Sequence, residues 1–160
     1  MSSASKTFLN ILNRITEWLC VGLLSALVLV SGLQVFFRYA LHLPLVWSEE
    51  AARYLLVWLS FATAGLVVRE NGNPRIEIIS TYVSPRTSAL IAFITQIMVA
   101  AFLFVFVWVS WSLTAHYVPY SSLATGISQA LPRMALPIGG LLMLINMFPA
   151  MSANWTQLRG

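Results

Sequence analysis

Four apolar stretches, each near the length of a bilayer crossing, take up most of this 160-residue chain: residues 19–37, 45–68, 89–111 and 134–151. A hydrocarbon core about 30 Å thick is crossed by a helix rising about 1.5 Å per residue in roughly 20 residues. Lipid offers no hydrogen-bond partner to a bare backbone, so each stretch is expected to be helical. The expected fold is an all-α membrane protein, one four-helix domain over residues 1–160, with helices near 15–38, 45–69, 88–113 and 132–153. Charged residues make up only 9% of the chain, far below the roughly 25% usual in soluble domains.

Lys6 and Arg14 precede the first apolar run, an arrangement that also opens a secretory signal. A signal's apolar region spans about 7–15 residues and ends at a small-residue cleavage site. This run continues to Phe37 and meets Arg38, so it is expected to stay attached as a spanning helix.

With four crossings, both termini share one side with the connection between the second and third helices. Lys6, Arg14, Arg69, Arg75, Arg86 and Arg159 fall on that side, against Arg38, Arg53 and Arg133 on the other. The positive-inside rule then places both termini in the cytoplasm. The connection over residues 112–131 carries no Lys, Arg, Asp or Glu, as a non-cytoplasmic loop should. The net charge of +4 comes from single scattered basic residues without an aromatic-studded stripe, which argues against nucleic acid as a partner.

The second helix carries the most informative charges. Its uncharged part, residues 54–68, covers about 22 Å and is too short to span alone, so the helix must begin earlier. Ser48 is the expected N-cap after Pro44 and Trp47, which puts Glu49 and Glu50 in the first turn, where the helix dipole favours negative charge. Arg53 follows Glu49 by four residues and Glu50 by three, within reach of either. Three charges at the bilayer centre would cost on the order of 8–10 kcal/mol, so all three belong at the membrane rim. One carboxylate is left over, and Arg38 and Arg133, at the same end of the first and fourth helices, are its expected partners. Arg38, Glu49, Glu50, Arg53 and Arg133 are thus expected to form a polar cluster linking helices one, two and four.

Other polar residues point to packing. Gln34 and Gln96 lie within apolar runs and should bond neighbouring helices; Ser60 with Ala64 and Ala135 with Gly139 have small-xxx-small spacing. Cys20 stands alone, without a disulfide or metal-ligand partner. His42 and His116 fall near a membrane boundary, unlike an inward-facing pair of haem ligands, and no cofactor or metal site is expected in this chain. Pro137 lies inside the fourth helix and should bend it, whereas Pro132 suits a first turn. The turn signal Asn71-Gly72-Asn73-Pro74, followed by Ile76, Ile79 and Val83 at helical spacing, suggests a short amphipathic helix on the cytoplasmic face. Trp47, Trp108, Trp111 and Trp155 fit an interfacial aromatic belt in contact with membrane lipid.

Taken together, the Phe37-Arg38-Tyr39 end of the first helix, the block Trp47-Ser48-Glu49-Glu50-Ala51-Ala52-Arg53-Tyr54 and the loop over residues 69–79 resemble the small membrane subunit of tripartite ATP-independent periplasmic (TRAP) transporters, the DctQ-like family. The resemblance covers nearly the whole chain, and Trp-x-Glu-Glu-x-x-Arg-Tyr is its specific part. Asn73-Pro74 departs from it, standing where such proteins often have a histidine. The resemblance implies an inner-membrane scaffold that is not an enzyme and that binds a much larger multi-spanning subunit holding the substrate and sodium sites. It also implies transient contact with a periplasmic binding protein that delivers a carboxylate such as a sialic acid or a C4-dicarboxylate. The alternative is an autonomous proton-coupled exporter acting as a homodimer, with Glu49 or Glu50 as its coupling site.

Overall fold

A computed structural model describes residues 3–70 and 85–159. Four long helices dominate it: α1 over Ser3–Tyr39, α2 over Val46–Glu70, α3 over Pro85–His116 and, after a four-residue helix α4 at Ala130–Arg133, α5 over Ala135–Arg159. Each long helix contains a segment apolar and long enough to cross a membrane. The amphipathic helix expected near residues 76–83 lies outside the described residues.

The helices form a row in the order α1, α2, α5, α3, with extended contacts only between neighbours in that row. The outer members each turn one narrow stripe inward. On α1 it runs through Leu9, Asn13, Thr16, Cys20, Leu23, Leu27, Val30, Gln34 and Phe37; on α3, through Ala92, Gln96, Leu103, Val107, Ser110 and Thr114. A seven-residue repeat of this kind keeps two helices in contact at a shallow left-handed crossing. The other faces, including Trp18, Val28, Phe102 and Trp108, are exposed apolar surface suited to lipid or to another membrane protein.

Small residues set the spacing at the centre of the row. A methyl group at Gly139 would come within 2.6 Å of Phe61 Cβ, one at Gly65 within 2.9 Å of Leu142 Cβ, and one at Gly140 within 2.7 Å of Val107 Cγ2. The glycines thus let α2 and α3 close onto α5, which suits a lipid setting where helix association rests on van der Waals contact and interhelical hydrogen bonds. Of the small pairs noted in the sequence, Gly139 and the almost fully buried Ala135 lie in this contact, whereas Ser60 is exposed and bonds the Leu56 carbonyl of its own helix.

Several boundaries differ from expectation, with α3 spanning 85–116 rather than 88–113 and α5 running to 159 rather than 153. Helix α1 begins at residue 3 rather than 15; the half-buried Leu9 and Leu12 and the buried Asn13 continue its inward stripe beyond the apolar run, which hydropathy alone does not register. The bend expected from Pro137 is a local break: Met134 separates α4 from α5, at the point where proline cannot donate to the Arg133 carbonyl. The flanking bonds, Met134 N–H to Ala130 and Ile138 N–H to Met134, carry the chain across it. At the end of α1, His42 adopts a left-handed backbone with φ of 56°, Leu43 N–H returns to the Phe37 carbonyl, and Pro44 precedes the start of α2.

Candidate functional site

The rim charges lie where α2 starts. Helix α2 begins at Val46, directly after Leu45, so Ser48 sits inside the first turn and is not its N-cap. Fully buried, Ser48 donates its hydroxyl hydrogen to the Leu45 carbonyl at 2.7 Å. The cause is Pro44, which holds the chain out of helix up to that point and lets it wind immediately afterwards.

Glu49 and Arg53 form the expected pair, with Arg53 donating to Glu49 Oε1 at 3.1 Å across one helical turn. Both side chains are mostly exposed, so the pair does little for stability. Glu50 takes different partners from those expected. The hydroxyls of Tyr54 and Ser122 donate to its two carboxylate oxygens, and Thr125 adds a third bond at 3.3 Å. Neither Arg38 nor Arg133 is hydrogen-bonded or ion-paired to it.

Ser122 connects Glu50 to the fold of the α3–α4 loop. While donating to the carboxylate, its oxygen accepts the backbone N–H of Ala124 at 3.1 Å and of Thr125 at 3.4 Å. The loop closes through Ser122 N–H to Ile127 and Gln129 N–H to Tyr120, and Gly126 supplies the positive φ that the turn needs. One carboxylate on α2 thus fixes a loop more than 70 residues away in sequence.

Arg133 turns to aromatic and amide groups. Its guanidinium lies 3.8 Å from the centre of the Tyr117 ring and donates to the Gln129 carbonyl at 2.6 Å. Arg38 stays on α1, with its guanidinium 5.8 Å from the Tyr39 ring, and does not join the other four charges. Its helix packs mainly on α2, and Arg38 does not line the rim recess. Glu49, Glu50, Arg53 and Arg133 do share one recess of about 600 Å³, floored by Val57 and Leu136. With two carboxylates and two guanidiniums, this recess is charge-balanced. It offers hydrogen-bonding groups to a partner surface. Trp47, Trp108 and Trp111 are exposed, as lipid contact requires; the Trp155 side chain lies outside the described residues.

A family model described as the DctQ component of tripartite ATP-independent periplasmic transporters matches residues 27–157. The chain belongs to this DctQ family. A Haemophilus influenzae protein named as a TRAP transporter small permease protein is 27% identical over 141 residues, 86% of this chain and 85% of its relative. The Vibrio cholerae sialic acid TRAP transporter small permease protein SiaQ is 24% identical over 139 residues, 87% and 80% of the two chains. The sialic acid TRAP transporter permease protein SiaT of Haemophilus influenzae is 27% identical over 146 residues, 90% of this chain but only 23% of that longer protein. This DctQ chain is therefore a small permease subunit, not an enzyme, and a multi-pass protein of the inner membrane. The longer permease, which contains a segment like it, supports a large membrane partner.

The polar contacts of this DctQ chain that hydropathy reading missed are at the opposite end of the helices. Arg69 on α2 donates to Glu17 on α1 at 3.0 Å. Asn13, almost fully buried, donates to Asn146 Oδ1 at 2.9 Å, and Asn146 donates in turn to the Gly65 carbonyl at 2.9 Å. This relay joins α1, α5 and α2. The signal for it was present, since an Asn within an apolar helix seeks a partner, but its partner lies 133 residues away in sequence.

Proposed function

We propose that this chain is the fixed scaffold of a sodium-coupled TRAP transporter, holding a large transport subunit that takes up a carboxylate substrate of the sialic acid or C4-dicarboxylate type. The single observation behind this reading is how its rim carboxylates are used. Glu49 is bonded to Arg53, and Glu50 to three hydroxyls that shape a loop. Carboxylates so engaged brace a structure, whereas a coupling site needs one free to exchange its cation or proton along a path through the membrane. The row of helices, with α1 open along most of its length, gives a large partner a flat apolar face.

In this reading Glu50 and the loop it holds face the periplasm, where a binding protein delivers substrate, and both termini are cytoplasmic. The excess of Lys and Arg at the terminal end supports that orientation. Sodium and substrate sites belong to the large subunit, and the sialic acid preference rests on the names of two relatives.

Three experiments test the reading. Affinity purification of the tagged chain from native membranes should bring with it a large multi-spanning protein, and reconstitution of the pair with its binding protein should give uptake that follows an inward sodium gradient. Purification of this chain alone from those membranes would contradict it. For orientation, a cysteine placed at Leu123, which is fully exposed at the loop tip, should react with an impermeant maleimide added outside spheroplasts. Protection until the cells are opened would reverse the topology.

A further inference from the structure

Near the terminal end, α1 and Arg69 of α2 line a second, open cavity of about 560 Å³, outside the rim cluster. Its lining is Asn10, Arg14, Glu17, Trp18, Val21 and Arg69. Five of these lie on one face of α1, at helical spacing, in a definite vertical order. Amide and guanidinium come first, then the carboxylate and an exposed indole, and then aliphatic surface that continues through Leu24 and Val28. Glu17 is bonded to Arg69, whereas Arg14 has no carboxylate partner among the described residues. The cavity therefore carries two guanidiniums and one carboxylate, an excess of one positive charge.

Depth matters as much as charge. Arg14 precedes the apolar run starting at Leu19 by five residues, or about 7 Å along the helix, which is the depth of the head-group layer outside the hydrocarbon. Trp18, 69% exposed, sits at the boundary that indoles favour. Both parts of an anionic phospholipid are thus matched in order: a phosphate at the guanidiniums and an acyl chain along Val21, Leu24 and Val28.

We propose that this cavity binds the phosphate of an anionic phospholipid. Arg14 supplies the charge-assisted donors, Asn10 an amide donor, and Arg69 a second guanidinium that Glu17 holds in place. Free inorganic phosphate presents similar phosphoryl oxygens, but it lacks the chain that the aliphatic stripe would cover.

Native mass spectrometry of the full chain in detergent, titrated with phosphatidylglycerol, diacylglycerol or inorganic phosphate, tests this directly. Phosphatidylglycerol should be retained, diacylglycerol lost, and inorganic phosphate should fail to displace the lipid. Arg14→Gln should weaken phosphatidylglycerol retention about tenfold, the scale of one charge-assisted bond, with Arg14→Lys between it and the unaltered chain. Arg53→Gln, at the other end of α2, should leave retention unchanged. Equal retention of phosphatidylglycerol and diacylglycerol by the unaltered chain would overturn the proposal without recourse to any variant. So would displacement by inorganic phosphate, or full retention by a folded Arg14→Gln.

Discussion

The two ends of the helix row use polar groups in opposite ways. At the α2 start, bonding is local to α2 and the loop: Glu49 meets Arg53 one turn away, and Glu50 holds Ser122 and Thr125. At the terminal end, bonding runs between long helices, through Glu17–Arg69, Asn13–Asn146 and Asn146–Gly65. Helix α1 is therefore clamped at one end and, among the described residues, free of interhelical polar bonds around Arg38. The difference separates two tasks, fixing helices against one another and shaping a loop that faces solvent.

Substitutions that unbalance the two ends would sharpen or break this contrast, and the largest effect should come from Asn146. Asn146→Leu leaves the buried Asn13 amide without its acceptor and removes the bond to Gly65. It should lower stability by about 1–3 kcal/mol, read as earlier thermal unfolding in detergent. If Asn146→Leu were neutral, the asparagine relay would add nothing to the hold that packing and the Glu17–Arg69 pair give α1.

Glu50→Ala should act on the loop and spare the clamp. Amide exchange at Ser122 and Gly126 should rise about tenfold, as expected when charge-assisted bonds are lost, while exchange along α1 stays as it was. Matching acceleration along α1 would show that the two ends are coupled and that the separation of tasks is wrong. Smaller again is Glu17→Gln, which removes a half-exposed ion pair and should cost about 0.2–1 kcal/mol, with the loss shrinking at high salt. Least of all, Arg53→Gln should change thermal stability by less than about 0.5 kcal/mol, because the Glu49 pair is exposed and within one helix.

The same contrast explains what could be read from the chain. Apolar length gave the spanning helices, and an i, i+4 spacing gave the Glu49–Arg53 pair, because both signals lie within one helix. Glu50 could be recognised as needing a partner, but charge matching pointed to Arg38 and Arg133. The partners are instead uncharged hydroxyls in a loop that, lacking charge, reads as a plain connector. Asn13 and Glu17 are single polar residues just before an apolar run and Asn146 is one inside a run, and their pairing depends on which helices are neighbours in the row. Hydropathy does not encode that order. The glycines do so in part: Gly65, Gly139 and Gly140 place α5 between α2 and α3 once close approach is considered.

The most direct test of the scaffold reading is transport by purified components in proteoliposomes under both sodium and proton gradients. This chain alone should move no solute in either direction, and the complex with its large subunit should retain substantial uptake when Glu49 or Glu50 is replaced by Gln. Uptake or export by the isolated chain, abolished by Glu49→Gln or Glu50→Gln, would identify a carrier in its own right and contradict the account.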